Sequence, residues 1–179
     1  MSITEIFEEK CNDNSDICQH MPTLKEYAEK CNTIIELGVR SIVSTWAFLA
    51  AKPKVLLSVD LYHPSYYLNY DKEGCNIELV EKIAGEQGTI FEFIEHDSIT
   101  VKLPKCDLMF FDTLHTYEQL SAELKAHNTN VKKYMIFHDT ETFKDELMPA
   151  INELLLYNSN WGIHKKYDNN NGLLILKHK

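Results

Sequence analysis

Positive charge is scarce in this 179-residue sequence: 18 Lys and Arg face 27 Asp and Glu, for a net charge of −9. A partner held by neutralised phosphates is therefore disfavoured, and neither nucleic acid nor an anionic membrane surface is expected. Long apolar runs are missing as well. The run ending at Ala51 falls far short of the roughly 20 residues of a membrane-spanning helix. The stretch Met1 to Lys10 is acidic and amphipathic, unlike a secretory signal, so a cytoplasmic location is expected. No C-x-x-C pair occurs, and the five cysteines Cys11, Cys18, Cys31, Cys75 and Cys106 are odd in number. They read as free thiols in a reducing compartment, and structural zinc is disfavoured. Glycine is sparse at six residues, and G-x-G-x-x-G is absent, which counts against a nucleotide- or NAD-binding enzyme. What is present, 44% apolar and 25% charged residues, is the balance of one globular domain large enough to bury a full core.

Before Thr33 no strand signal occurs. Ile3, Ile6 and Phe7 share a helical spacing, as do Leu24, Tyr27 and Ala28, so residues 1–32 form an expected helical preface. From Thr33 onward, short apolar runs alternate with amphipathic stretches. The runs Thr33 to Leu37, Val55 to Val59, Ile90 to Ile94, Leu108 to Phe111 and Tyr134 to Phe137 read as five buried strands. Helices are expected over Ile77 to Ala84 with Gly85 and Gly88 at its exit, over Thr116 to Asn128 behind a Thr116/Gln119 capping box, and over Pro149 to Tyr157 with Pro149 in the first turn. Such alternation predicts a parallel sheet covered on both faces. Trp161 to Tyr167 and Leu173 to Lys177, joined by an Asn-rich turn ending in Gly172, predict an antiparallel hairpin.

Ligands of an open parallel sheet lie beyond the carboxyl ends of its strands, so the residues that follow each run are the informative ones. After the first comes Glu36-Leu37-Gly38-Val39-Arg40-Ser41-Ile42-Val43-Ser44-Thr45; after the others come Asp60, His96-Asp97-Ser98, Asp112-Thr113-Leu114-His115 and His138-Asp139-Thr140. Gathered carboxylates repel and are costly to desolvate, so a scaffold gains nothing from them. Asp60 either accepts from the ribose hydroxyls of a nucleoside cofactor or caps the next turn. Asp97, beside Ser98, either meets an adenine amino group or caps a loop. Asp112 and Asp139 converge if their strands are neighbours, and converging carboxylates call for a cation, a proton or a cationic ligand. His115 and His138 are candidate ligands or bases, with a hydrogen-bonded surface role as the alternative for each. The aromatic run Tyr62 to Tyr67 either lines a pocket or only packs.

Taken in order, these signals resemble the class I S-adenosylmethionine-dependent methyltransferases from Thr33 to Lys179. Glu36-Leu37-Gly38-Val39 resembles the start of the family's cofactor loop, with Ser44 further along it. Asp60 resembles its ribose-binding acid, and Asp97 with Ser98 its adenine side. Asp112-Thr113-Leu114-His115-Thr116-Tyr117-Glu118 resembles the aspartate-glycine-x-histidine-x-tyrosine-glutamate stretch of small-molecule O-methyltransferases. The resemblance implies a Rossmann-like α/β sandwich, mostly parallel with a C-terminal antiparallel hairpin, over residues 33–179. It implies S-adenosylmethionine as cofactor, bound by Glu36, Gly38, Ser44, Asp60, Asp97, Ser98 and Asp112. It also implies Mg²⁺ or another divalent cation held by Asp112 and Asp139 with His138 beside them, and a small hydroxylated acceptor. His115 is then the candidate base, working beside Asp112, and a homodimer is one admissible assembly. Two departures from the family pattern are Ser41-Ile42-Val43, where further glycines are usual, and Thr113 in place of a glycine. A non-catalytic methyltransferase-like binding protein and a nucleotide- or NAD-binding α/β enzyme are the alternatives.

Overall fold

The computed structural model describes residues 1–67 and 76–179; Cys75 lies outside them, and the other four cysteines are free thiols. Seven strands form one sheet: β1 (Thr33–Leu37), β2 (Val55–Asp60), β3 (Ile90–Glu95), β4 (Cys106–Phe111), β5 (Val131–His138), β6 (Trp161–Tyr167) and β7 (Leu173–His178). Their order is β3-β2-β1-β4-β5-β7-β6. The first five run parallel, and β7 pairs antiparallel with both β5 and β6, as the hairpin signal predicts. Asn170, Asn171 and Gly172 take the positive φ angles that its turn demands.

Helices α1 (Ile3–Asn12), α2 (Met21–Ala28), α3 (Val43–Ala50), α4 (Ile77–Gln87), α5 (Tyr117–His127) and α6 (Lys144–Tyr157) cover the faces. On one face, Ile6, Ile17, Leu24 and Tyr27 of the preface bury into the same apolar cluster as Ile34, Trp46, Phe48 and Phe110, so residues 1–32 share the core of the sheet. On the other face, Leu120 and Leu124 of α5 and Leu147 and Ile151 of α6 pack on Ile35, Met109 and Phe137.

Several sequence expectations are corrected. Helix α3 was not among the expected helices: Thr45, Trp46, Ala47, Phe48 and Leu49 are all buried, so it has no polar stripe to betray its period. Strand β3 is an edge strand with Ile90 67% exposed, not a buried one. Helix α6 starts five residues before Pro149, which therefore sits inside the helix rather than in its first turn. Thr116 does cap α5, but Gln119 turns its amide to Ser98 and Glu123, so the reciprocal half of the capping box is missing. Gly85 lies within α4, and Gly88 alone makes the left-handed exit, at φ 80°.

Candidate active site

Strand order reverses between β1 and β4, and a cavity of about 900 Å³ opens beyond their carboxyl ends, where open α/β sheets place their ligands. Gly38, Ser44, Asp60, Asp97, Ser98, Asp112, His115 and Asp139 all line it. Gly38 is there by steric necessity. Its φ is 87°, and a Cβ would stand 1.9 Å from the carbonyl oxygen of Asp112 on the neighbouring strand. No other residue lets β1 and β4 stay paired at this point. The loop that follows is unusual: Arg40 and Ile42 hold positive φ angles of 48° and 65° with no glycine to ease them, a strain of roughly 1–2 kcal/mol each.

Asp60 ties that loop down. Its Oδ2 accepts from the backbone N–H groups of Val39 (2.7 Å) and Arg40 (2.9 Å), and Oδ1 from that of Tyr62 (3.1 Å). The carboxylate thus caps two turns, and Oδ1, with one protein donor, has a lone pair left for a ligand hydroxyl. Asp97 caps its own loop through the N–H of Ile99 at 2.9 Å while lining the cavity. Glu36 does not line the cavity. It is fully buried beneath the loop, where Ser44 Oγ donates to Oε1 (2.5 Å) and Thr45 Oγ1 (2.8 Å) and Ser58 Oγ (2.6 Å) donate to Oε2. Burial pushes its pKa up to about 7 against the pull of those three hydroxyls.

At the far end, β4 and β5 deliver Asp112, His138 and Asp139 together, and the loop before α5 adds His115. His138 Nδ1 lies 3.3 Å from Asp112 Oδ1 and 3.4 Å from Asp139 Oδ2; His115 Nε2 lies 3.4 Å and 2.8 Å from the same two oxygens. His138 Nε2 faces the carbonyl oxygens of Asp16 (3.1 Å) and Asn170 (3.3 Å). Carbonyls only accept, so Nε2 carries a proton and Nδ1 is the nitrogen turned to the carboxylates. Two carboxylates and a bare Nδ1 lone pair cannot face one another without a positive charge between them. Protons fill that role here. Burial opposes charge on both rings, but hydrogen bonds to Asp112 and Asp139 prevail and raise His138 to about 10 and His115 to about 9. Burial likewise works against ionised Asp112 and Asp139, yet the same hydrogen bonds hold both below the ordinary carboxylate range.

A divalent cation fits the same place. Asp112, His138 and Asp139 each offer a ligand atom within 4.8 Å of the others. His138 is oriented as metal-ligating histidines are, with its second N–H given to backbone carbonyls. Asp139 Oδ1 and Thr140 Oγ1 beside it are buried without a partner. Oxygen-rich ligation with one imidazole suits Mg²⁺ or Mn²⁺.

Three contributors were not legible in the sequence. Asn14, Ser15, Asp16 and Ile17 of the preface form a wall of the cavity. They are strapped to the hairpin turn by His20 Nε2 on the carbonyls of Asn169 (2.9 Å) and Asn170 (3.1 Å), and by Gln19 bonded to Asn169 and Asn170. Glu123, hidden inside α5, gathers Ser98 Oγ (2.5 Å), Thr113 Oγ1 (2.7 Å) and Gln119 Nε2 (2.9 Å), three cavity-lining groups from three segments. Thr113 is thereby a hydroxyl donor to Glu123. An acid at the third residue after the stripe leucine Leu120 was the only available signal for Glu123, and Arg40 carried none.

This strand order, with its terminal antiparallel pair and its site at the β1/β4 reversal, is the class I methyltransferase fold. Solved structures agree. The chain is similar to an O-methyltransferase from Bacillus cereus in complex with S-adenosylhomocysteine (TM-score 0.64, 11% identity, covering 99% of this chain and 90% of that one). It is also similar to the TDP-rhamnose 3′-O-methyltransferase CalS11 of calicheamicin biosynthesis (TM-score 0.60, 18% identity, 89% and 77%), and to a ribosomal protein L11 methylase from Lactobacillus delbrueckii subsp. bulgaricus (TM-score 0.59, 16% identity, 90% and 79%). No family model matches the sequence, and no curated protein matches it at a significant level.

Proposed function

We propose that this protein is a methyltransferase that uses S-adenosylmethionine to methylate a hydroxyl of a small molecule, with a divalent cation held by Asp112, His138 and Asp139. The observation that carries this reading is the joint placement, in one cavity at the strand reversal, of the sterically required Gly38, the loop-holding Asp60 and the converging Asp112–Asp139 pair. When bound, S-adenosylmethionine supplies an electrophilic methyl group, and the cation supplies Lewis acidity that lowers the acceptor's hydroxyl pKa and orients it. Gly38 and Ser44 would hold the cofactor's amino-acid end, Asp60 Oδ1 would accept from a ribose hydroxyl, and Asp97 with Ser98 would flank the adenine. His115, stacked on Phe143 at 4.5 Å between ring centroids, is placed to take the acceptor's proton at Nε2. In the arrangement described, that nitrogen already carries a proton shared with Asp139, so it would serve as a base only after that proton has passed to solvent, as when a cation takes the proton's place beside Asp112 and Asp139.

The test is methyl transfer to hydroxylated acceptors with and without EDTA, followed by Mg²⁺ or Mn²⁺ add-back. Full activity in chelator, or undiminished turnover by Asp139→Asn, removes the cation from the reading. A non-catalytic binding protein is the second reading, favoured by the loop alone, since Ser41 to Val43 lack glycine and Asp60 is already engaged. Calorimetric titration with S-adenosylmethionine and S-adenosylhomocysteine separates the two: no heat with either selects the second.

A further inference from the structure

Between the loop after β3 and the first turns of α5, Glu123 absorbs the side-chain hydrogens of its neighbours. It is fully buried, and its Oε1 is met by Ser98 Oγ at 2.5 Å, Thr113 Oγ1 at 2.7 Å and Gln119 Nε2 at 2.9 Å. Gln119 Nε2 also lies 3.0 Å from Ser98 Oγ. A hydroxyl has one hydrogen and an amide nitrogen has two. The hydroxyl hydrogens of Ser98 and Thr113 go to Glu123, and those of Gln119 Nε2 go to Glu123 and to Ser98. None of them is left for a ligand.

The same bonds fix which way the Gln119 amide faces. Turned over, its oxygen would stand 2.9 Å from a carboxylate oxygen with no hydrogen between them. Nε2 is therefore held on Glu123, and Oε1 is the polar atom that Gln119 has left to offer the cavity its side chain lines. Ser98 Oγ and Thr113 Oγ1 keep only lone pairs, and Asp97 next to Ser98 adds a carboxylate. These four side chains present acceptors alone. The positively charged groups of the cavity are turned elsewhere: His115 Nε2 to Asp112 and Asp139, and Arg40 Nη1 to Asp16.

A wall of acceptors recognises a ligand edge that donates. We propose that Gln119 Oε1 reads the 6-amino group of the cofactor's adenine, and that Glu123 is the positioning residue that keeps the amide turned that way, so that a base with a 6-oxo group is rejected. This rests on the methyltransferase reading, in which Asp97 and Ser98 would flank the adenine, and it adds two residues of α5 to which the family resemblance does not point. A 6-oxo group would set oxygen against oxygen at Gln119. The amide could not turn to meet it without taking its hydrogens from Glu123 and Ser98, and a site built on such bonds discriminates strongly against the analogue that cannot complete them.

The test titrates S-adenosylhomocysteine and its 6-oxo counterpart S-inosylhomocysteine calorimetrically into the full chain and reads the ratio of their affinities, which a merely structural role would not move. The parent is expected to prefer the amino form about tenfold or more. Gln119→Met removes the acceptor at a half-buried position and is expected to cut that preference about tenfold. Glu123→Leu, which lets the amide turn and frees both hydroxyl hydrogens, should cut it at least as far, and the double variant should lose no more than Glu123→Leu alone. Glu123→Gln returns an oxygen to the three donors and should retain the parent ratio. Any share of Asp97 in the preference is common to all these proteins and cancels between them. Equal affinity of the parent for both ligands, or a ratio unmoved by Gln119→Met, overturns the assignment of Gln119 while S-adenosylhomocysteine binding leaves the methyltransferase reading in place. A ratio unmoved by Glu123→Leu, or lost in Glu123→Gln, overturns the role of Glu123; Gln119→Met keeps the proposal open to refutation even where the buried Glu123→Leu does not fold. Absence of heat with S-adenosylhomocysteine overturns the cofactor reading itself and this inference with it.

Discussion

Glu36 gives the fold a pH dependence of definite sign. Its carboxyl is fully buried and its pKa stands at about 7 against an ordinary 4.5, because desolvation outweighs three hydroxyl donors. The folded state therefore binds this proton more tightly than the unfolded chain does. The stabilisation is complete below about pH 4.5 and is lost as pH rises through about 7. A gap from 4.5 to about 7, at ~1.4 kcal/mol for each pH unit, amounts to about 3 kcal/mol. Glu36→Gln keeps the shape and cannot ionise: Ser44 still donates to Oε1, and the hydroxyls of Thr45 and Ser58 turn to accept from the amide. Urea unfolding of both proteins across about pH 4 to 8 isolates this one group, since all other titrations cancel in the difference. The variant should match the parent in acid and exceed it by about 3 kcal/mol above neutrality, or roughly 6–12 °C in Tm. A difference that stays flat with pH would refute the reasoning, because the hydroxyls would then have fully offset desolvation.

Gly38→Ala should cost about 3 kcal/mol or more, because a Cβ 1.9 Å from the Asp112 carbonyl forces β1 and β4 apart; wild-type stability in denaturant would contradict the steric argument. Asp60→Ala should weaken S-adenosylhomocysteine binding by about 1–3 kcal/mol, through both the ribose contact and the freed N–H groups of Val39 and Arg40. Unchanged affinity in the folded variant would sink that assignment. Pro149→Ala should raise stability by about 1–3 kcal/mol, since the ring is exposed yet removes a hydrogen bond from the interior of α6. A lower or equal midpoint would show that the helix had already absorbed the defect.

What the sequence disclosed was whatever had a period or a fixed backbone. The β strands stood out as apolar runs, and Asp60, Asp97, Asp112 and Asp139 stood out because each closes or follows one, though only for Asp60, Asp112 and Asp139 is that strand buried. Helix α3 escaped because burial on all sides erases amphipathic contrast. Glu36 was placed at the right turn but on the wrong side of it: along β1 alternate residues face opposite ways, and three hydroxyls distant in sequence draw it inward. The strap and Glu123 escaped for a different reason. Their meaning depends on partners far along the chain, Asn170 for Ser15 and His138, Ser98 for Glu123, and no local pattern encodes a meeting of that kind.

The bond between Asn169 and Gln19 joins residues 150 positions apart. During synthesis the strap emerges early and then waits, because the turn that pins it lies between β6 and β7, the last two strands to be made. Contacts of such sequence separation carry the largest loop-closure cost and form late. The cavity wall formed by Asn14, Ser15, Asp16 and Ile17 and the Asn170 carbonyl that faces His138 are thus among the final pieces to lock. A chain stalled short of its last hairpin lacks Leu173, Leu174, Ile175 and Leu176, which lie fully buried between β5 and β6, so the cavity wall and the core on both faces of the sheet wait on the same strand.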